Sequence, residues 1–428
     1  MSELHDPRPK QERTLLVSVE ADKISKGEAA SLLRELGGLA KTLGLEVAGT
    51  MAVKLREKTA SLLLGTGKAD EVVAAAKAEG VDSIIFDHPL TPTQQRNWET
   101  LSGLKAYDRS ELIIKIFSSR ALTKEAGLQV ELARLEFAMP RLAHSYDDLS
   151  RQRGGRYGTK GSGEQKIELD RRAIERRVHE IKEELKDVKK SRDVQRRKRE
   201  RIAIPRAAIV GYTNAGKSSL LNALTNAQVL AEDKLFATLD PTTRKLILSS
   251  GATLLVTDTV GFVRNLPHNL VEAFKATLEE AANSDLLIHV ADASDPEVEI
   301  QMETTERVLS EIGAGDLPRI LVLNKSDIAS EESISHWMRL HSGGLAVSAK
   351  TGAGLEQLAT AMEKQLTSGM REFVLEIPHS DYSFVSFLHR EGSVESEESG
   401  DESTIVRCRI PARLEDKVAK YVKDPGVY

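Results

Sequence analysis

The stretch AAIVGYTNAGKSSLLNAL (207–224) is a β-run, a glycine-bounded loop and a helical run in immediate succession. Its centre, GYTNAGKS (211–218), matches the phosphate-loop spacing G-x-x-x-x-G-K-[ST]. The strand–loop–helix context is what phosphate chemistry needs. Glycines let backbone N–H groups turn inward around a β-phosphate, beside the positive end of the new helix. Lys217 can then reach the β- and γ-phosphates, and Ser218 can place a hydroxyl on Mg²⁺.

Three further pieces follow in the order such a domain requires. DTVG (258–261) closes the β-run TLLV, where Asp258 can hold the Mg²⁺ shell and Gly261 can offer its N–H to a γ-phosphate. NKSD (324–327) closes RILVL; the carboxylate of Asp327 can accept from guanine N1–H and the 2-amino group together, a pair that adenine lacks. The stem of Lys325 can lie along the base. SAK (348–350) closes LAV and can present the Ala349 N–H to guanine O6. Each tetrapeptide alone is weak. All four at the C-terminal ends of strands define a nucleotide site in an open α/β sheet.

Between the first and second pieces lies FATLDPTTR (236–244), where a switch threonine is expected; Thr238, Thr242 and Thr243 all qualify by chemistry. The residue after DTVG is Phe262, where many signalling GTPases carry a water-orienting glutamine. Phenylalanine has no hydrogen-bonding group, so unassisted hydrolysis is expected to be slow.

Upstream, from Arg13 to Asp108, short β-like runs alternate with helical patterns: TLLVSVE (14–20), VAGTMAV (47–53), SLLL (61–64) and VDSIIFD (81–87) read as strands. Leu32, Leu33, Leu36, Leu39 and Leu43 recur at helical spacing, with Ser25 as N-cap, and Lys68–Glu79 reads as a second helix. A small, at least partly parallel sheet with helical cover follows. Glu111–Leu142 is helical in character, weakened at Gly127. Beyond a Gly- and Ser-rich stretch (145–165), Ile167, Ile174, Val178, Ile181, Leu185 and Val188 fall at heptad spacing, so an antiparallel helical hairpin is expected. After about Met370 the tail reads strand (372–377), helix (381–389), acidic turn (394–402), strand (404–410) and helix (413–422).

The fold class is therefore α/β: an N-terminal α/β domain (1–108), a helical hairpin with a Gly-rich basic loop (109–202), a P-loop GTPase domain (203–370) and a small C-terminal domain (371–428). The formal net charge of −5 over 428 residues excludes a globally basic surface, so any nucleic-acid contact must be local. Arg171–Arg201 holds fourteen Lys or Arg against seven Asp or Glu, which a solvated helix face also explains. Arg151, Arg153, Arg156, Lys160 and Lys166 among glycines favour RNA, because cations and backbone N–H can both meet phosphate. The RNA contacts expected are Arg153, Arg156 and Lys160. A single cysteine, Cys408, and the lack of a secretion signal or a 20-residue apolar run suit a monomeric cytoplasmic protein.

Beyond the nucleotide motifs, the sequence resembles the HflX family of translation-associated GTPases. The likeness is carried by GTGKADE (65–71), DHPLTPTQQRNWE (87–99), DRSELIIKIFSSRA (108–121), LQVELARL (128–135), GGRYGTKGSGEQKIELDRR (154–172), FATLDPTTR, DTVGF and LPHNLVEAFKATLEE (266–280). The family's basic loop commonly reads GGxGTRGPGE; here Tyr157, Lys160 and Ser162 depart from it. GTGK (65–68) lacks the rest of a phosphate loop and is not read as a second nucleotide site.

The resemblance implies a GTPase that binds the large ribosomal subunit and, in some members, splits stalled or idle ribosomes. It also implies that the switch threonine is Thr238. The residues then expected around GTP are Gly211, Tyr212, Thr213, Asn214, Ala215, Gly216, Lys217, Ser218 and Ser219; Phe236, Ala237, Thr238, Leu239 and Asp240; Asp258, Thr259, Val260 and Gly261; Asn324, Lys325, Ser326 and Asp327; and Ser348, Ala349 and Lys350. Lys217, Thr238 and Gly261 are expected to act on the reacting phosphate, with Ser218 and Thr238 on Mg²⁺. An assembly or RNA-maturation GTPase, or a signalling GTPase with a protein partner, are the alternatives.

Overall fold

The computed structural model describes residues 11–20, 26–55, 58–145, 162–200, 204–225, 235–264, 278–341, 343–367, 370–411 and 414–422. They divide into two compact units. One holds the described residues up to Lys186 together with 235–240, and the other holds the rest.

In the first unit, strands β1 (Arg13–Glu20), β2 (Glu46–Lys54), β3 (Ser83–Phe86) and β4 (Lys105–Asp108) form a sheet of order β2-β1-β3-β4. Every pairing is parallel, so each strand needs a crossover, and helices supply them: α1 (Lys26–Thr42), α2 (Thr66–Ala78) and α3 (Pro92–Ser102). Val72, Val73 and Ala76 of α2 and Trp98 of α3 share a core with Leu15, Val17, Ile84 and Phe86. The Trp98 ring lies 4.7 Å from that of Phe86. Thr91 caps α3, its side chain accepting from the Gln94 N–H while Gln94 answers to the Thr91 N–H.

Two expectations fail here. SLLL (61–64) is not a strand but a tight turn closed by the Thr59–Leu63 bridge, with Leu63 at φ 66°. Its leucines do not alternate; Leu63 and Leu64 both plug the core. The helical stretch from Glu111 does not weaken at Gly127. It is two helices, α4 (Arg109–Arg120) and α5 (Lys124–Ser145), separated at 121–123, with Gly127 inside α5. Thr123 sets that boundary, its hydroxyl accepting from the Ala126 N–H at 3.1 Å.

The hairpin forms. Helix α6 (Ser162–Glu200) packs Val178, Ile181 and Leu185 against Leu128, Leu132 and Leu135 of α5. Ion pairs Lys124–Glu184 and Glu131–Arg177 run in opposite sequence directions, as antiparallel helices require. Ser25 and residues 146–161, with Arg151, Arg153, Arg156 and Lys160, lie outside the described residues. Among the described side chains of α6, basic residues pair with acids, as in Arg171–Glu175, Arg172–Glu168 and Lys186–Glu183; the side chains of 191–201 lie outside the description.

In the second unit, β5 (Arg206–Gly211), β6 (Thr242–Ile247), β7 (Thr253–Asp258), β8 (Leu286–Asp292), β9 (Arg319–Asn324) and β10 (Leu345–Ala346) form a sheet of order β10-β9-β8-β5-β7-β6. Only β6 runs antiparallel, against β7. Helix α7 (Lys217–Thr225) follows β5. Leu220 and Leu221 of α7 join Ile209, Val256, Ile288 and Val322 in the core, which seats the phosphate loop on rigid elements.

The tail has an antiparallel sheet of β11 (Met370–Pro378), β12 (Ser393–Ser399) and β13 (Ser403–Pro411), ordered β11-β13-β12, and a core of its own. The acidic stretch expected as a turn is the edge strand β12; only Gly400–Glu402 turn. Edge strands tolerate charge, and Glu395 pairs there with Arg409. Cys408 is buried on β13, and burial pushes its thiol up to about 11, so it is an inert packing residue.

Candidate functional site

The phosphate loop leaves β5 through Gly211 at φ 149°, where a Cβ would stand 2.1 Å from the Val290 carbonyl oxygen. It enters α7 after Gly216 at φ 92°, where a Cβ would meet the Asn324 amide at 2.2 Å. Both glycines are thus enforced by close approach as well as by conformation.

Lys217 is buried, and its Nζ donates to the carbonyls of Gly211 (3.2 Å) and Tyr212 (2.8 Å), which aims the ammonium across the loop. Burial pulls its pKa down to about 8, with Asp258 acting against that shift. Such a cation lacks full compensation, and a polyanion would supply it.

Asp258, at the end of β7, is fully buried and accepts from the Ser218 hydroxyl at 2.6 Å. A hydroxyl beside a carboxylate is the hard-oxygen donor set that Mg²⁺ takes when most of its shell is water and phosphate. Ser218 and Asp258 therefore fit the ion. Thr259 ties the following turn to β5 through the Ile209 carbonyl (2.7 Å). A Cβ on Gly261 would lie 2.8 Å from both Lys217 Nζ and Thr213 Cα, so DTVG rests directly on the phosphate loop.

Phe262 is buried and zipped to that loop. Its N–H donates to the Gly211 carbonyl (3.1 Å), and its carbonyl accepts from the Thr213 N–H (2.8 Å). The Tyr212 hydroxyl accepts from the Arg264 N–H at 2.8 Å, and Arg264 pairs with Glu297. Sequence reasoning did not give Tyr212 this bracing task.

The NKSD and SAK loops lie against each other and against the phosphate loop. Asn324 donates its amide to the Ala215 carbonyl (2.8 Å) and accepts from the Ala349 N–H (3.1 Å), stapling the phosphate loop to SAK. The Ala349 N–H expected on guanine O6 is directed to Asn324 here. Asp327 accepts from the Ser348 hydroxyl (2.7 Å), and Ser326 N–H reaches the Val347 carbonyl. That fixes the Asp327 carboxylate. Lys325, at φ 60°, pairs at 2.7 Å with Asp292 at the end of β8, a residue the motif search missed. The run LLIHVAD ending in an acid was the available signal.

Of the three threonines, Thr242 and Thr243 lie in β6 facing β7, and the Thr243 hydroxyl shares a hydrogen bond with Thr257. Thr238 lies outside any strand, in 235–240, a segment that belongs to the N-terminal unit. Two of its neighbours make contacts within that unit: Phe236 packs on Phe117, and Asp240 bonds Thr123.

A six-stranded sheet with a phosphate loop, an adjoining Ser218–Asp258 pair and an ordered Asn-Lys-x-Asp loop defines a P-loop GTPase. Residues 206–325 match the family model described as 50S ribosome-binding GTPase, and 30–118 and 120–199 match the N-terminal and middle regions of GTP-binding GTPases. The chain is 46% identical to GTPase HflX of Akkermansia muciniphila, covering 99% of this chain and 100% of that one. It is 41% identical to GTPase HflX of Caldanaerobacter subterraneus subsp. tengcongensis (96% and 94%) and 39% identical to that of Escherichia coli K12 (88% and 90%). The chain belongs to the HflX family of GTPases. Among the described residues no helix is long and apolar enough to cross a membrane.

Proposed function

We propose that this GTPase binds the large ribosomal subunit in its GTP state and separates or silences idle or stalled ribosomes. The observation that carries the reading is the match of residues 206–325 to a family described as 50S ribosome-binding. The basic loop supports it, with Arg153, Arg156 and Lys160 taken as RNA contacts.

Lys217 holds the β- and γ-phosphates, Gly261 gives its N–H to the γ-phosphate, and Asp327 selects guanine. Ser218, Asp258 and Thr238 would hold Mg²⁺, which when bound neutralises charge on the β- and γ-oxygens. Phe262 offers no group to orient water, so hydrolysis is slow alone and is accelerated on the subunit.

Co-sedimentation with purified large subunits tests the binding claim. Retention with a GTP analogue and release with GDP is expected, with affinity falling as salt rises. Equal retention in both states, or none, contradicts it. For separation, light scattering of vacant ribosomes should fall on adding protein with GTP.

A further inference from the structure

Strand β8 reads LLIHVAD, and pleating sends its side chains alternately to the two faces of the sheet. Ile288 and Val290 join the core with α7. On the other face Ala291 and Leu323 meet Met302 of α8 (Val298–Glu311) and Trp337 of α9 (Glu331–Leu340). His289 therefore lies on the face that α8 and α9 cover, in register with Leu321 of β9. There it lines a cavity of about 320 Å³ walled by Met302 and Leu321 and rimmed by Glu306, Arg319 and His341. That volume stands at the lower end of small-molecule sites, roughly 300–1,000 Å³.

His289 is 2% exposed, yet among the described residues its ring makes no hydrogen bond. A buried polar ring without a partner is costly, and the cavity is where a partner can stand. Burial pulls its pKa down to about 3, and Arg319, His341 and Lys217 push the same way, so the ring is neutral in a positive field. Arg319 has five N–H donors, and the hydrogen bond described for it goes to the Gly315 carbonyl. Glu306 stands 3.7 Å from the guanidinium, beyond hydrogen-bond reach, and is half exposed. His341 is fixed on the rim by its N–H bond to the Trp337 carbonyl and by its ring stacked on Trp337.

We propose that this cavity is a second ligand site of the GTPase domain, taking a small molecule whose phosphate or carboxylate meets Arg319 and His289. A neutral imidazole donates one N–H to the anion and keeps one nitrogen to accept from a hydroxyl of the same ligand. Met302 and Leu321 cover its carbon frame. A metal ion does not suit the place: among the described residues no group of His, Cys, Asp or Glu could hold one, and a guanidinium stands at the rim. Arg319 opens β9, at the end of the sheet opposite the nucleotide loops, so the two ligands do not compete.

Full-length protein loaded with Mg²⁺ and a non-hydrolysable GTP analogue, which fills the phosphate loop, is titrated with glycerol 2-phosphate and, separately, with succinate. Histidine-ring nitrogen NMR, with His289→Gln marking the signal, should show the His289 resonance moving saturably. The tighter of the two probes tells phosphate from carboxylate. Arg319→Gln should weaken that binding about tenfold or more, since it removes a charge-assisted bond. Its affinity for the GTP analogue and its unfolding midpoint should stay unchanged. Should His289→Gln fail to fold, calorimetry of both probes on wild type and Arg319→Gln reads the same loss. No saturable binding of either probe, or equal affinity in Arg319→Gln, would overturn the proposal.

Discussion

At the C-terminal ends of β3 and β4, the polar residues Asp87, Asp108 and Arg109 are used on one another and on neighbouring helices. Arg109 is buried between Asp87 (3.1 Å) and Glu35, and Asp108 accepts from the N–H groups of Leu90 and Glu111. At the corresponding ends of β5, β7 and β9, Lys217, the Ser218–Asp258 pair and Asp327 are brought to one rim around loops stiffened by glycine and by Asn324. The first region is a parallel sheet with helical cover, and the second is parallel except for its edge strand β6. The first closes its strand ends by internal ion pairing, and the second gathers a buried ammonium held by carbonyls and a hydroxyl–carboxylate pair beside glycine loops. Architecture alone therefore does not make a site.

The contrast can be broken at its strongest points first. Lys217→Ala should remove measurable Mg·GTP binding while the far-UV circular dichroism is unchanged. A variant that still binds GTP at wild-type strength would show that the buried ammonium is structural. Arg109→Met leaves two buried carboxylates without their counter-ion and should destabilise the N-terminal unit by about 3–5 kcal/mol. Trp98 and Trp337, one in each region, report unfolding separately in urea. Only the Trp98 transition should move, and GTP affinity should hold.

Asp327→Asn sharpens the comparison on the ligand side. It should weaken GTP by roughly 1.5–3 kcal/mol and raise tolerance for xanthine nucleotides, whose 2-oxo group can accept from asparagine. The smallest effect is that of pH. The folded pKa of Lys217 is lowered to about 8, so the free protein sheds that proton above pH 8, whereas a bound triphosphate raises the pKa again. GTP affinity should be flat below pH 8 and fall above it, by at most about tenfold per unit. A flat profile to pH 9 would show that phosphate does not meet this lysine. The same depression makes the nucleotide-free fold gain stability as pH rises above 8, because the unfolded chain holds the proton longer.

The GTPase region was legible because its loops are short, ordered along the chain and bound to strand ends. Gly211, Gly216 and Gly261 have no room for a side chain, so the residue type itself records the geometry. The hairpin seam was legible from heptad spacing for the same reason. The N-terminal region read less well: β4 is four residues with a lysine and an aspartate, and SLLL carries the apolar content of a strand without its alternation. The placing of Phe236 and Asp240 was beyond sequence reasoning, since their partners Phe117 and Thr123 lie more than a hundred residues upstream. A motif records local conformation; it does not record which distant helix end a carboxylate will cap.

The central claim, a partner-activated switch, is tested most directly by single-turnover GTP hydrolysis with and without purified large ribosomal subunits. A site whose water-orienting position is Phe262 should turn over alone on the order of 10⁻⁴–10⁻³ s⁻¹ and gain about 10³–10⁵ on the subunit. Equal rates in both conditions would contradict the account.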